Sequence, residues 1–179
     1  MNYTNNVVKI ISEVIKIDWT MPYKIKEATL SSGSGFFIDN KGHIITCAHV
    51  IINSQKVLVE IPSYGEKKFS VKILGICPQL DIALLKLVDK NIKFKSLQLG
   101  NSDKISSGDE VFAIGFPLGL SNVKITKGII SGRVMLMFQM DSSINPGNSG
   151  GPLIKNGKVI GINQGSFIGM TNMNLSIPI

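Results

Sequence analysis

Residues 144–153 read INPGNSGGPL, in which Ser149 stands among three glycines and follows a Pro-Gly pair. A structural turn needs one glycine or two. Pro146-Gly147 suits a type II turn: proline presets φ at the second position and glycine accepts positive φ at the third. Such a turn can aim consecutive backbone N–H groups at one point. Donors converging beside a hydroxyl are what acyl transfer needs. The hydroxyl attacks a carbonyl carbon, and the N–H groups hold the oxygen as it turns negative. Gly150 and Gly151 let a substrate or a facing strand come close. Phosphate binding is the competing use of such a loop. Here Gly151 to Gly157-Lys158 has one residue too many between its glycines for a P-loop, and Val159 stands where Ser or Thr is required.

A serine hydroxyl is a weak nucleophile until a base takes its proton. The chain has two histidines. His43, in DNKGHII, reads as a partly exposed strand-start residue beside a turn. His49, in ITCAHVI, is expected at the end of an apolar strand, either as a packed structural histidine or as the base. A base also needs a carboxylate to fix its tautomer and stabilise the imidazolium. Asp81, in QLDIALLKL, opens a largely apolar strand. An aspartate there is costly unless paired, so it reads as a turn cap or as that partner.

The elements that must position these residues are short, β-branched and broken by turn residues. Candidate strands in the first half are 7–17, 33–39, 43–47, 56–61, 69–76 and 82–87; in the second, 110–115, 123–131, 135–141, 151–154, 158–163 and 173–179. Residues 7–17 also fit a helical face, but their density of Val and Ile favours a strand. Six and six short strands predict an all-β sandwich or barrel. Residues 88–109 read as the link between the halves.

With 179 residues, the chain is expected to be one domain or two small lobes sharing a core. Apolar residues make up 44% and charged ones 17%, which argues against disorder. No apolar run approaches the roughly 20 residues that span a bilayer, so no membrane insertion is expected. The net charge of +7 comes from scattered lysines and a single arginine, Arg133. A nucleic-acid footprint clusters its charge and favours arginine, so no nucleic-acid partner is expected. Cys47 and Cys77 make no disulfide framework, and without a CxxC and with only two histidines they make no metal site. Free thiols, and the absence of a recognisable secretory signal in MNYTNNVVKI, point to a cytoplasmic or other reducing compartment.

Taken together and in order, TCAHV, LDIALLKL and INPGNSGGP resemble a trypsin-like serine protease of the HtrA/Deg group. The similarity extends to SSGSGFFID, AIGFPLG, ITKGIISG, KVIGIN and NLSIPI, and so covers nearly the whole chain. It implies two six-stranded antiparallel β-barrels, chymotrypsin/trypsin-like, with the active site between them. The first would span about residues 1–96 and the second about 97–179, in a single protease domain with no PDZ domain. By the same resemblance His49 is the base, Asp81 its orienting carboxylate and Ser149 the nucleophile. Gly147 and Ser149 supply the oxyanion-hole N–H groups, with Asn148 shaping the loop between them. Ile144 and the strand Leu175, Ser176, Ile177 correspond to the walls of the primary specificity pocket. Asn163, Gln164 and Gly165 correspond to the strand that pairs with substrate.

An apolar Ile144 implies cleavage after small or medium aliphatic residues. Extended binding by strand addition implies unfolded polypeptide substrates. No metal and no cofactor is expected. The aromatic N-terminal stretch through Trp19, Pro22 and Tyr23 corresponds to the segment that packs relatives into homotrimers. The alternative, from a different class, is a gated or inactive protease-like domain that binds peptide as a chaperone-like module. The flexible Gly147 and Gly150 would permit such a collapsed oxyanion loop.

Overall fold

The computed structural model describes residues 3, 5–14, 20, 21, 23, 29–166 and 173–179. The first half forms β1 (Val7–Val14), β2 (Thr29–Phe37), β3 (His43–Cys47), β4 (Ser54–Glu60), β5 (Lys68–Cys77) and β6 (Ile82–Leu87), with one short helix, α1 (Ala48–Ile51), after β3. The second half forms β7 (Glu110–Gly115), β8 (Lys124–Val134), β9 (Met137–Met140), β10 (Pro152–Lys155), β11 (Lys158–Ser166) and β12 (Asn174–Pro178). Each set closes into an antiparallel barrel, in the orders β1-β2-β3-β6-β5-β4 and β10-β11-β12-β9-β8-β7. Counted from its own first strand, each barrel has the same cyclic order, so one architecture is used twice.

Alternation explains why these segments are strands. In β6, IALLKL buries Ala83, Leu85 and Leu87 while the residues between them face outward. The core of the first barrel is built on Ile10, Phe36, Ile44, Val59 and Leu85. The same apolar cluster runs on into Ile114, Phe116 and Ile162 of the second barrel. A separate cluster around Val111, Ile130, Phe138 and Leu153 fills the second barrel. The two barrels therefore share a packed seam, and the catalytic residues expected from sequence lie along it.

Two local differences from the sequence expectation have plain causes. His49 does not end a strand: β3 stops at Cys47 and His49 lies in α1. A four-residue helix is too short to show a helical period in sequence. Residues 135 and 136 do not belong to β9. Val134 pairs with Met137, so Met135 and Leu136 form a two-residue hairpin turn, with Met135 at φ +55°. No Gly or Asn marks that turn, which hides it from a reading by composition. The link, residues 88–109, contributes no strand; it is pinned by the Gly100 N–H donating to the Val159 carbonyl at 2.7 Å. Trp19 and Pro22 lie outside the described residues, and Tyr23 is exposed.

Candidate active site

The register of β3 and β6 brings the histidine and the aspartate together. Cys47, the last residue of β3, pairs with Ile82, the first of β6. The residues just beyond each end are therefore neighbours. Asp81 sits at φ +54°, a left-handed conformation that aspartate tolerates better than most side chains. Its Oδ2 lies 2.7 Å from His49 Nδ1, and its Oδ1 accepts the His49 backbone N–H at 2.9 Å. Its own carbonyl accepts the Ala48 N–H at 3.1 Å.

The first residues of α1 have no cap of their own, because Cys47 at the N-cap offers no side-chain acceptor. Asp81 supplies the missing acceptors from across the sheet. One residue thus ends a turn, caps a helix and holds an imidazole. Burial pushes the Asp81 carboxyl up, but the bonds from the His49 ring, the His49 N–H and Gln164 outweigh it and keep it below its ordinary value.

Gln164 reaches Asp81 because of a β-bulge. The β11–β12 register pairs Asn163 with Ser176 and then Gly165 with Leu175, which leaves Gln164 unpaired. Its Nε2 donates to Asp81 Oδ2 at 3.0 Å. Asn163 is fully buried: its side chain donates to the Ile114 and Pro152 carbonyls, and its own carbonyl accepts from the Gly150 N–H and from Cys47 Sγ. Its side-chain amine and its main-chain N–H and carbonyl are thus engaged inside the fold, while its Oδ1 has no partner among the described residues; nothing crowds Gly165.

The serine loop rests against the first barrel. Gly150 has φ +87°, and a Cβ there would run into the Ser34 carbonyl and Thr46 Oγ1. It would also lie 2.9 Å from the Cys47 nitrogen. Only glycine fits, and the fit places the residue after Ser149 against the strand end that leads to His49. The Ser149 carbonyl accepts the Ser34 N–H at 2.8 Å. Gly147, at φ +99°, abuts the Phe116 carbonyl in the same manner. Asn148 is buried, and its N–H donates to the Asn145 carbonyl at 2.9 Å.

Among the described residues, neither the Gly147 N–H nor the Ser149 N–H donates to a protein acceptor. The Ser149 hydroxyl likewise makes no hydrogen bond to His49 in this state. Ile144, Leu175, Ser176 and Ile177 are buried, and the Ile144 N–H donates to Asn174 Oδ1 at 3.3 Å.

Cys47, His49 and Asp81 each offer one ligand atom within 4.8 Å of the others, a grouping their spacing in sequence does not reveal. Their bonding is already committed. Burial first, and then the charge of Asp81, push the Cys47 thiol far above its ordinary value, so it stays protonated and makes a poor ligand. Both cysteines are free thiols.

Sequence reasoning missed three contributors: Gln164 as a partner of Asp81, the Leu118 N–H, which donates to the Pro146 carbonyl at 2.6 Å, and the buried Ser34. A serine between two glycines, just before the apolar Phe36-Phe37 pair, was the one available signal for the last of these.

The trypsin-like peptidase domain family matches residues 33–162. The chain is 38% identical over 161 residues to a probable periplasmic serine endoprotease, DegP-like, of Pseudomonas putida (strain W619). That match covers 83% of this chain and 33% of the relative. It is 39% identical over 154 residues to a protein of the same description from Chlamydia muridarum, covering 77% and 30%. The chain thus spans about a third of the length of these curated relatives.

Among solved structures, it resembles the HtrA-type protease AlgW with tripeptide at a TM-score of 0.81 and 30% identity, covering 98% of this chain and 56% of that one. It resembles a serine endoprotease from Yersinia pestis at 0.78 and 30%, covering 98% and 59%. The expected cytoplasmic or reducing location is overturned by these comparisons: the curated relatives are named periplasmic. Two closed six-stranded barrels, a His–Asp pair at their seam and these matches agree: this chain belongs to the trypsin-like peptidase family, with the HtrA-type, DegP-like serine proteases as its relatives.

Proposed function

We propose that this domain is a serine endopeptidase in which Ser149 is the nucleophile, His49 the general base and Asp81 the residue that orients it. The observation that carries the reading is the His49–Asp81 pair at 2.7 Å, held beside a glycine-rich loop whose Gly147 and Ser149 N–H groups have no protein acceptor among the described residues. Asp81 accepts from Nδ1–H and so leaves Nε2 as the basic nitrogen. Ser149 Oγ attacks the scissile carbonyl carbon as its proton passes to Nε2. The carbonyl oxygen takes the negative charge and accepts from the two loop N–H groups. The imidazolium then gives its proton to the leaving amine, and water repeats the sequence on the acyl-enzyme. Catalytic hydrogen bonds are often long before substrate binds, so the missing Ser149–His49 bond suits a resting site.

In this reading Ile144, Leu175 and Ile177 favour a small or medium aliphatic residue before the scissile bond. Substrates are unfolded polypeptides that add a strand beside Gln164 and Gly165. Asn163 lends support from within the fold rather than pairing with substrate. In this reading the domain works in the periplasm, which the periplasmic names of the relatives support. A homotrimer packed through the N-terminal segment completes the proposal, and sedimentation equilibrium tests it.

The decisive experiment is a comparison of wild type and Ser149→Ala on casein and with a fluorophosphonate. Wild type is expected to cleave and to label at Ser149, and the variant to do neither, with a rate loss of about a millionfold. Cleavage by Ser149→Ala would end the assignment. No labelling of folded wild type, with or without added peptide, would favour the gated peptide-binding module.

A further inference from the structure

Ser34 lies within β2, between Gly33 and Gly35, and is fully buried. A buried hydroxyl is costly unless its hydrogen bonds are made. This one makes two, and neither partner belongs to its own barrel. Ser34 Oγ donates to the Gly147 carbonyl at 2.6 Å and accepts the Phe116 N–H at 2.9 Å. Phe116 precedes the turn Pro117–Gly119, whose Leu118 N–H donates to the Pro146 carbonyl at 2.6 Å. In a trans peptide the N–H points away from the C=O. Holding the Pro146 carbonyl on Leu118 therefore turns the Gly147 N–H to the opposite side, where no described protein group accepts it. The Ser34 main chain adds two ties: its N–H donates to the Ser149 carbonyl, and its carbonyl accepts Thr46 Oγ1, both at 2.8 Å.

We propose that Ser34 is a positioning residue of the peptidase site: its hydroxyl bridges the Gly147 carbonyl and the Phe116 N–H, and so locks the oxyanion loop in the arrangement that leaves the Gly147 and Ser149 N–H groups free. The inference rests on the peptidase reading and adds to it a first-barrel residue that touches no reacting atom. The chemistry demands a hydroxyl, because one atom must donate to a carbonyl and accept from an amide at once. Space is tight: a Cβ on Gly115 would lie 2.8 Å from Ser34 Oγ. The lock also opposes local strain. Leu118 sits at φ +55°, where a side chain pays for its place, and Gly147 can rotate its peptide units freely once released. Rotation of the Pro146–Gly147 unit would withdraw one of the two oxyanion donors.

The test is steady-state kinetics of Ser34→Ala on a peptide p-nitroanilide ending in valine, with the matching valine boronate as a tetrahedral ligand of Ser149. The variant is expected to lose kcat by about 10- to 100-fold, between the worth of one hydrogen bond and that of one oxyanion donor. KM should stay within about threefold, the change expected when ground-state binding is untouched. Boronate affinity should fall with kcat, a coupling that general loosening of the fold would not produce. In wild type, the Phe116 amide should exchange slowly with deuterium in the boronate complex. Wild-type kcat and boronate affinity in Ser34→Ala would overturn the proposal, as would a loss confined to KM. Fast exchange at Phe116 would do so without any variant, which covers the case of a Ser34→Ala protein that does not fold. Ser149→Ala run alongside separates the two ideas: if it stays active the peptidase reading fails, and if only Ser34→Ala is fully active the bridge alone is wrong.

Discussion

At the scale of the residue, Asp81 carries more than one duty, and substitutions can separate them. Its Oδ1 caps α1 through the His49 N–H, its Oδ2 faces His49 Nδ1, and its backbone is left-handed. Asp81→Asn keeps an acceptor for the cap and a side chain that tolerates the backbone. It can instead turn an amide N–H toward Nδ1 and select the wrong tautomer. We expect kcat to fall by about ten-thousandfold while the melting temperature hardly moves. Asp81→Ala loses the cap as well, at a further cost of about 1 kcal/mol, and adds strain at positive φ. Peptide hydrolysis and thermal melts of both variants check this; a fully active Asp81→Asn would remove Asp81 from the proposed chemistry. Cys47, two residues from the proposed base His49, takes no part in that proposed chemistry, because burial and the neighbouring carboxylate keep its thiol protonated.

At the scale of the element, the serine loop depends on backbone that no side chain can share. A Cβ at Gly150 would strike Ser34 and Thr46 in the opposite barrel. Gly150→Ala is therefore expected to lower the melting temperature by roughly 5 °C or more, given the cost of a steric clash at positive φ, and to depress kcat with it. Gly75→Ala, where a Cβ meets open space, should change neither. Differential scanning calorimetry with a peptidase assay decides, and an unperturbed Gly150→Ala would show that the seam yields easily.

The same scale shows what could be read beforehand. All twelve strands were legible as short segments with apolar residues between turn residues, most of them rich in Val and Ile, because burial on one face imposes alternation. The order of TCAHV, LDIALLKL and INPGNSGGP pointed to the residues now found at the seam. Helix α1 was not legible, being one turn long, nor was the Met135–Leu136 turn, which pairing between β8 and β9 forces on an unsuited sequence. The bulge that aims Gln164 at Asp81 depends on the partner strand β12, and so on a register that one strand alone cannot encode.

At the scale of the whole molecule, both barrels lean on ionised carboxylates, and acid should loosen them together. In the first barrel, Asp39 lies in the β2–β3 connection, two residues after β2. It accepts from the Lys41 and His43 N–H groups and meets His43 Nδ1 at 2.6 Å. Burial raises its carboxyl, yet these bonds together prevail and hold it at about 2, against 3.8 ordinarily. Asp81 is lowered too, and in the second barrel Asp109 is lowered by Lys155 and the Ser106 N–H. A carboxyl whose folded value lies below its unfolded one binds fewer protons when folded. Its contribution is complete above about pH 4 and drains away as pH falls toward 2. The Asp39–His43 pair is about a third exposed on the aspartate side, so after solvent screening its share is below about 1 kcal/mol.

Urea unfolding of wild type should accordingly hold steady from pH 7 to 5 and then weaken steeply below pH 4. Asp39→Asn should be less stable than wild type at pH 7, with the gap closing by pH 2.5 because the wild-type carboxylate is then being protonated as well. A gap that stays constant across that range would mean that Asp39 acts through packing alone, and that its charge contributes nothing to holding the β2–β3 corner from which β3 runs to His49.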